Sequence, residues 1–528
     1  MNTHATQMGD PPTTANDVGA KEMTTHDEED GQVKRAMELS RSENEGTKFS
    51  AKYILRQKQY RRALYSSVPT LTLGIMGGAV LPVSWAFSVT GIGCGFLIML
   101  VVALANTYTC DLLLRQTFKT GATDYESLAF LVGGRWWKLV TEISIVVLLV
   151  GSLVGGIQQT GEAAAIGILS LSGNAPHWLV GGSGRVLMAL TTAFIVGPLC
   201  LVEKLRQLEY AATVGTAIVF WLVVSIMADS IKHGLPAIGT GLPYWGFSSI
   251  GSVTQAVSIF GFAFYIQPIM MPLYSEMPSG KVGVKLTSYT VRIVILGTSF
   301  FIYSSAGFFG AAYYGQDTQS NILQNQWLGG GVPQGILNLA MSLYLAAANP
   351  MVEFPTRHTI NGWIPGDKEK YRFLRHIFET ALILTFSTVI AVLWPNSSGK
   401  VLTVTGATGV CMVSYLIPIV NHLALFFRRA KCQMELLQTK RTNGQQNNDL
   451  NLQQQTDQVR NLQTDMEVAN TAYPNAGPNI KEPDLLTYRK IRGGGTWGLI
   501  REYSWEVMLP LTVLAIGIFC SVASLSTL

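Results

Sequence analysis

Eleven stretches of roughly 20 mostly apolar residues punctuate this chain: 66–90, 92–114, 139–160, 186–202, 208–228, 250–274, 291–314, 335–355, 378–394, 401–427 and 507–527. Each predicts a helix long enough to cross about 30 Å of hydrocarbon at 1.5 Å per residue. The unbroken run 66–114 is too long for one crossing, and Gly91, Gly93 and Gly95 predict the tight turn that makes it two. Two stretches carry helix-breaking residues near their middle. The first holds Gly77-Gly78 followed by Pro82; the sixth holds Gly261 followed by Pro268 and Pro272. Unpaired backbone groups in lipid cost several kcal/mol each, so a broken span persists only where those groups face protein, water or a ligand. Breaks in spans one and six therefore predict a binding site at mid-membrane. Small residues also let helices pack closely, an alternative that stays open for either break taken alone.

Charge sets the orientation. With the N-terminus in the cytoplasm, the outside segments are 161–185, 229–249, 315–334, 395–400 and the last residue or so. Of 38 Lys and Arg, these hold only Arg185, Lys232 and Lys400. Such asymmetry is the positive-inside rule and predicts N-terminus in, C-terminus out. The net charge of +5 follows from this bias and does not argue for nucleic acid. With 48% hydrophobic and 13% charged residues, the chain has about half the charge of a typical soluble protein.

The polar remainder divides the chain into residues 1–50, 51–430, 431–506 and 507–528. Residues 1–50 carry ten acids against five bases and read as a disordered cytoplasmic tail with no cleaved signal peptide. Lys52, Arg56, Lys58, Arg61 and Arg62 follow, suited to orienting the first span and to meeting anionic lipid headgroups. The core of spans one to ten is 51–430. Within the polar loop 431–506, the Gln- and Asn-rich block 433–485 reads as a largely disordered linker, open to cytoplasmic partners as the N-terminal tail is. Trp497 and Trp505 suit the interfacial belt before the last span, and Asn396-Ser-Ser is a glycosylation pattern. The six cysteines, Cys94, Cys110, Cys200, Cys411, Cys432 and Cys520, form no CxxC pair and predict neither disulfide nor zinc site.

Three separated stretches resemble the amino acid/auxin permease family of secondary transporters, two of them its neutral amino acid transporters. In span one, Gly77-Gly-Ala-Val-Leu-Pro-Val-Ser-Trp-Ala-Phe87 resembles G-x-G-V-L-x-L-P/A-W/Y-A. In span six, Phe262-Ala-Phe-Tyr-Ile-Gln-Pro-Ile-Met-Met-Pro-Leu-Tyr-Ser-Glu-Met277 is similar to F-A-F-x-C-H-P-x-x-x-P-I-Y-x-E-L. In span eight, Asn349-Pro-Met-Val-Glu-Phe-Pro-Thr-Arg357 resembles P-x-x-x-F-P-x-R. The resemblance implies an all-α integral membrane fold, a LeuT-like five-plus-five inverted repeat with discontinuous helices one and six plus an eleventh helix. It implies secondary active amino acid transport by alternating access. Departures are Ala79 for the third motif glycine and Ile266-Gln267 for Cys-His. Leu73 and Ala348 stand where sodium-coupled members place Asn and Thr. A hard cation wants oxygen ligands, so proton coupling or exchange is expected instead, with the proton gradient as driving force and no cofactor.

The physical reading of the site starts from the zwitterion, whose two charges are both costly to desolvate. Free N–H groups beyond Gly77, Gly78 and Ala79 suit the carboxylate. Unwound carbonyls near Gly261–Phe264 suit the ammonium group, with Phe262, Phe264 and Tyr265 suited to a side-chain pocket or to packing against neighbours, and Gln267 also lining the site. Glu353 and Glu142 are candidates for proton coupling, although Arg357 four residues after Glu353 also predicts a plain helical ion pair. No phosphate-binding loop, His-Glu-x-x-His or Gly-x-Ser-x-Gly occurs, so no enzyme activity or metal is expected. A second reading is an amino acid-sensing receptor on the same scaffold, signalling through its tails with little net transport. The orientation suits a plasma membrane or a vacuolar or endosomal membrane equally.

Overall fold

A computed structural model describes residues 58–527 apart from 123, 174, 202–208, 240, 247–248, 279, 364–371, 396 and 444–503. The chain divides into Met1–Arg61, of which only the start of the first helix is described, and the compact unit Arg62–Leu528. Among the described residues the structure is helical, with one isolated bridge between Ile238 and Leu242.

The first apolar stretch forms α1 (Lys58–Met76) and α2 (Val80–Thr90), and the next two form α3 (Ile92–Thr120) and α4 (Tyr125–Ser172). The fourth runs through α5 (His177–Thr191), a π turn at Thr192–Val196 and the short α6 (Gly197–Cys200); the fifth is α7 (Glu209–Lys232). Span six is α8 (Ile250–Phe264) and α9 (Gln267–Ser275). Span seven joins α10 (Lys281–Arg292), a π segment Ile293–Ser299 and α11 (Phe300–Tyr314). Then come α12 (Gly331–Trp363) and α13 (Arg372–Leu393), both single helices. Span ten is α14 (Ser398–Thr405), a π segment Gly406–Leu416 and α15 (Ile417–Asn443), and α16 (Ser504–Ser526) closes the series.

Among the described residues nine helices are long and apolar enough to cross a bilayer, ten when α1 and α2 count as one bent span. The expected eleven is reached only if the shorter apolar helix Gly184–Cys200 crosses as well. Large apolar side chains cover the outside: Phe378, Leu382, Phe386, Val389 and Leu393 form an exposed stripe along α13. In water such a stripe would be a liability; in a bilayer it is the lipid-facing surface. Burial ranks the spans. The apolar window of span six is 89% buried and that of α16 only 22%, so span six lies at the centre and α16 on the rim.

The turn predicted at Gly91 is present. Gly91 has φ +73°, and a side chain there would meet the carbonyls of Gly246 and Pro243. The first amides of α3 are taken by that same loop, Ile92 N–H by Pro243 O and Gly93 N–H by Tyr244 O. Asp124 caps α4, accepting from Ser127 N–H at 2.7 Å. Several helices overrun the expected span bounds, and two of these overruns change the reading. The third span does not end at 160: Ala163-Ala-Ala165, strong helix formers, carry α4 to Ser172, and Gly173 at φ +67° ends it. Glu162 therefore lies in a helix, not in an outside loop. Likewise α15 continues to Asn443, so 433–443 is helical where a linker was expected. The expectations for 1–50, 444–485, Asn396 and Trp497 lie outside the described residues.

Candidate functional site

Span one breaks where expected. Helix α1 ends at Met76, Gly77 takes φ +27°, and α2 starts at Val80 with a bend of 58°. Gly77 N–H still reaches Leu73 O, and Ala79 N–H turns back to Met76 O at 2.9 Å. Other freed carbonyls are met by side chains from neighbouring spans. Tyr303 of α11 donates to Ile75 O at 2.9 Å, and Gln159 Nε2 of α4 donates to Gly78 O at 3.0 Å. Residues 70–76 and 79–84 are buried, whereas Gly77 and Gly78 between them are partly accessible. Nothing lies within 4 Å of where a Gly77 side chain would begin. The break thus opens onto a space inside an otherwise packed stretch.

Span six breaks four residues later than expected. Gly261 sits within α8, with only Val410 and Tyr415 near where a side chain would begin, and the chain unwinds at Tyr265–Ile266. Side-chain chemistry explains the shift. Ile266 N–H, the helical partner of Phe262 O, donates instead to Gln267 Oε1 at 3.0 Å. Pro268, which should serve Phe264 O, has no N–H. The last carbonyls of α8 therefore lose their donors while a glycine one turn earlier stays helical.

Gln267 is buried with its hydrogen bonds filled. Besides Ile266 N–H, its Oε1 accepts from Ser414 at 2.7 Å, and its Nε2 donates to Asn106 Oδ1 at 3.3 Å and Thr109 Oγ1 at 3.0 Å. Asn106 in turn donates to Tyr415 OH at 2.7 Å. This network ties the break to α3 and to the π segment of span ten. Phe262 is buried with its ring 5.2 Å from that of Tyr265, and Phe264 packs edge-on against Tyr303 at 5.3 Å.

Two neighbouring spans touch both breaks. On α4, Ser152 accepts from Tyr265 OH at 2.9 Å while Gln159, two turns on along the same face, holds Gly78. On α11, Tyr303 bonds Ile75 O and packs edge-on against Phe264. The two breaks are thereby gathered to one place. Gly156, between Ser152 and Gln159, leaves room for Asn349 Oδ1 of α12, 2.4 Å from where its side chain would begin. Buried polar atoms without a partner lie on two of these residues, Gln159 Oε1 and Asn349 Nδ2. Such atoms are rare in packed proteins and mark places where another polar group belongs. Ser152, Gln159, Tyr303 and Asn349 were not singled out from sequence as site residues. Their signal is polarity in mid-span, plainest in Gln158-Gln159-Thr160.

Glu353 and Glu142 are both paired. Glu353 accepts from Arg357 at 3.0 and 3.2 Å, and Arg357 also donates to Cys200 O and Thr380. Glu142 lies 3.4 Å from Lys138 and accepts from Trp363 Nε1 at 2.8 Å. Leu73 and Ala348 are buried and offer no side-chain oxygen. At the end of α1 away from the break, Ala63, Ser66, Ser67 and Thr70 face Leu273, Glu276 and Met277 across a crevice of about 20 Å³, room for roughly one water.

The family model for "transmembrane amino acid transporter protein" matches residues 63–442. The chain belongs to that family. It is 25% identical over 385 residues to the amino acid transporter AVT6E of Arabidopsis thaliana, covering 69% of this chain and 76% of that one. It is also 25% identical over 423 residues to sodium-coupled neutral amino acid symporter 2 of Danio rerio, covering 74% and 82%. Among solved structures it resembles MhsT, crystallised in complex with L-phenylalanine, with TM-score 0.52 and 12% identity, over 86% of this chain and 98% of that chain. That likeness establishes the LeuT-like fold. These relatives are transporters rather than enzymes, and the chain is an integral membrane protein of the same kind.

Proposed function

We propose that this family member is a secondary active amino acid transporter that holds its substrate between the breaks of spans one and six. The carboxylate lies against the Gly77–Ala79 break at the N-terminal end of α2, where the helix dipole favours negative charge. The ammonium group lies against the carbonyls of Phe262 and Phe264, whose helical donors are lost at the break, and Phe262 borders the side-chain pocket. Gln267 positions the second break through its filled network. The observation that carries this reading is the convergence of both breaks on Gln159, Ser152 and Tyr303. Among the described residues, no lysine or arginine lies within either break, so backbone groups do this work.

The driving force in this reading is a proton gradient. The sodium coupling named for the Danio rerio relative is not carried over, because Leu73 and Ala348 put hydrocarbon where an oxygen-rich cation site needs ligands. The N-terminus faces the cytoplasm and the C-terminus the outside or lumen, in a plasma, vacuolar or endosomal membrane. Uptake of radiolabelled amino acids into proteoliposomes, with a pH gradient or a sodium gradient imposed, tests it. Accumulation with the pH gradient alone is expected. Active preparations that take up no amino acid, or that require sodium, contradict it.

A further inference from the structure

Glu162 is a buried acid that the site described so far leaves unused. It lies on α4 one turn beyond Gln159, on the same face, and only 2% of its surface is exposed. Its Oε2 accepts from Asn321 Nδ2 at 2.8 Å, Gln324 Nε2 at 3.3 Å and Ser398 Oγ at 3.2 Å. Its Oε1 has no partner. Five described acids are buried to a similar degree: Glu142, Glu162, Asp229, Glu353 and Glu379. Lys138, His233, Arg357 and Arg375 pair with the other four. Glu162 alone of these has no basic partner.

Its three donors come from two elements. Asn321 and Gln324 belong to the loop 315–330 between α11 and α12, whose short helical turns pack against α2 and α4. Ser398 begins α14. Glu162 therefore pins this loop to span three and span ten, over the end of the breaks opposite the α1–α9 crevice. The charged or titratable groups on the elements packed around it are His177 and Arg185 on α5, Asp317 in the loop and Lys400 on α14, all exposed. On α12, Ser342 lies level with Thr160 through a hydrogen bond of 2.9 Å; Glu353 comes about three turns beyond it, and Arg357 and His358 more than four. Arg375 and Glu379 of α13 are paired with each other.

We infer that Glu162 is the proton-binding site of this transporter and that the loop 315–330 closes over the substrate only with the proton aboard. This rests on the transport reading above. A carboxylate without a cation is costly to bury, and three neutral donors on one oxygen offset only part of that cost. The proton sits on Oε1, the oxygen without a donor, and leaves Oε2 free to keep Asn321, Gln324 and Ser398. Lifting the loop lets water reach the carboxyl group and favours the charged form. Proton uptake thus favours closure, and by reciprocity closure favours proton uptake. Rising pH removes the proton and favours the open loop.

The test uses full-length wild type and Glu162→Gln in proteoliposomes, the amide standing in for the neutral acid. Hydrogen exchange of loop 315–330 is compared between the two proteins at roughly pH 5 and at roughly pH 8, so that intrinsic exchange cancels. At the higher pH the wild-type loop exchanges about tenfold faster than the variant, and at the lower pH the two match. Equal exchange at both pH values, or one constant difference at both, overturns the inference. In transport assays Glu162→Gln keeps amino acid exchange and loses pH-driven accumulation; accumulation as in wild type overturns it. Glu162→Asp guards against a folding defect, because it restores the pH dependence of the loop. A wild-type loop that opens with pH in a protein taking up no amino acid leaves the proton site standing and removes the transport reading.

Discussion

Gly77 and Gly78 act through what they lack. At φ +27° a side chain on Gly77 would cost about 1–2 kcal/mol in backbone strain and would project into the open space beside the break. Gly77→Leu should reduce uptake to background while leaving surface expression intact, measured by uptake and surface labelling on the same cells. Gln159 acts on the same break from α4. Gln159→Leu removes the donor to Gly78 O and should raise the half-saturating substrate concentration roughly tenfold, equivalent to about 1.4 kcal/mol. Glu353 presents the opposite case. Its pairing with Arg357 makes it a structural residue in this account, so Glu353→Gln, which strands a buried guanidinium, should destabilise the protein by about 3–5 kcal/mol. Thermal melting in detergent reads this out. A variant that melts normally yet loses proton-driven uptake would return Glu353 to the coupling role.

Among elements, α8 and α9 show how far sequence reasoning reaches. The break in span one is legible because two adjacent glycines and a following proline act locally. Span six also announces a break, yet Gly261 is not its position. A lone glycine costs a helix only about 1 kcal/mol relative to alanine, which packing overrides. What unwinds the chain is Gln267 taking the Ile266 amide next to Pro268, and that depends on Asn106, Thr109 and Ser414 from distant spans. Gln267→Leu should accordingly do more than change a lining residue. It strands several buried polar groups at about 1–3 kcal/mol each, so both the melting temperature and uptake should fall. Normal stability with altered selectivity alone would mean that Gln267 meets substrate rather than holding the break. Glu162 escaped the same kind of reading because hydropathy falls at Gly161-Glu162, while Glu162 and the alanines after it are strong enough helix formers to carry α4 on to Ser172.

For the whole molecule, apolar patterning was sufficient to place the elements, because lipid demands long apolar helices and their spacing is one-dimensional information. The inverted repeat was legible only through the positions of the breaks. What remained hidden is the third dimension: α4 and α11 serving both breaks, and the loop 315–330 strapped to α4 and α14. Topology has its own test. With eleven crossings, epitopes at the two termini should lie on opposite sides, the N-terminal one protected in intact cells and the C-terminal one accessible from outside or from the lumen. Both on one side would mean that Gly184–Cys200, an apolar helix shorter than the nine long enough to span, does not cross.

The central claim is that backbone groups freed at two breaks, rather than charged side chains, hold both ends of an amino acid. Cryo-electron microscopy of the full chain, saturated with the amino acid it takes up fastest, tests it most directly. The account predicts ligand density with its carboxylate over Gly77–Ala79 and its ammonium group at the Phe262 and Phe264 carbonyls. Density elsewhere in the bundle, or a ligand carboxylate paired with an arginine or lysine, would contradict it.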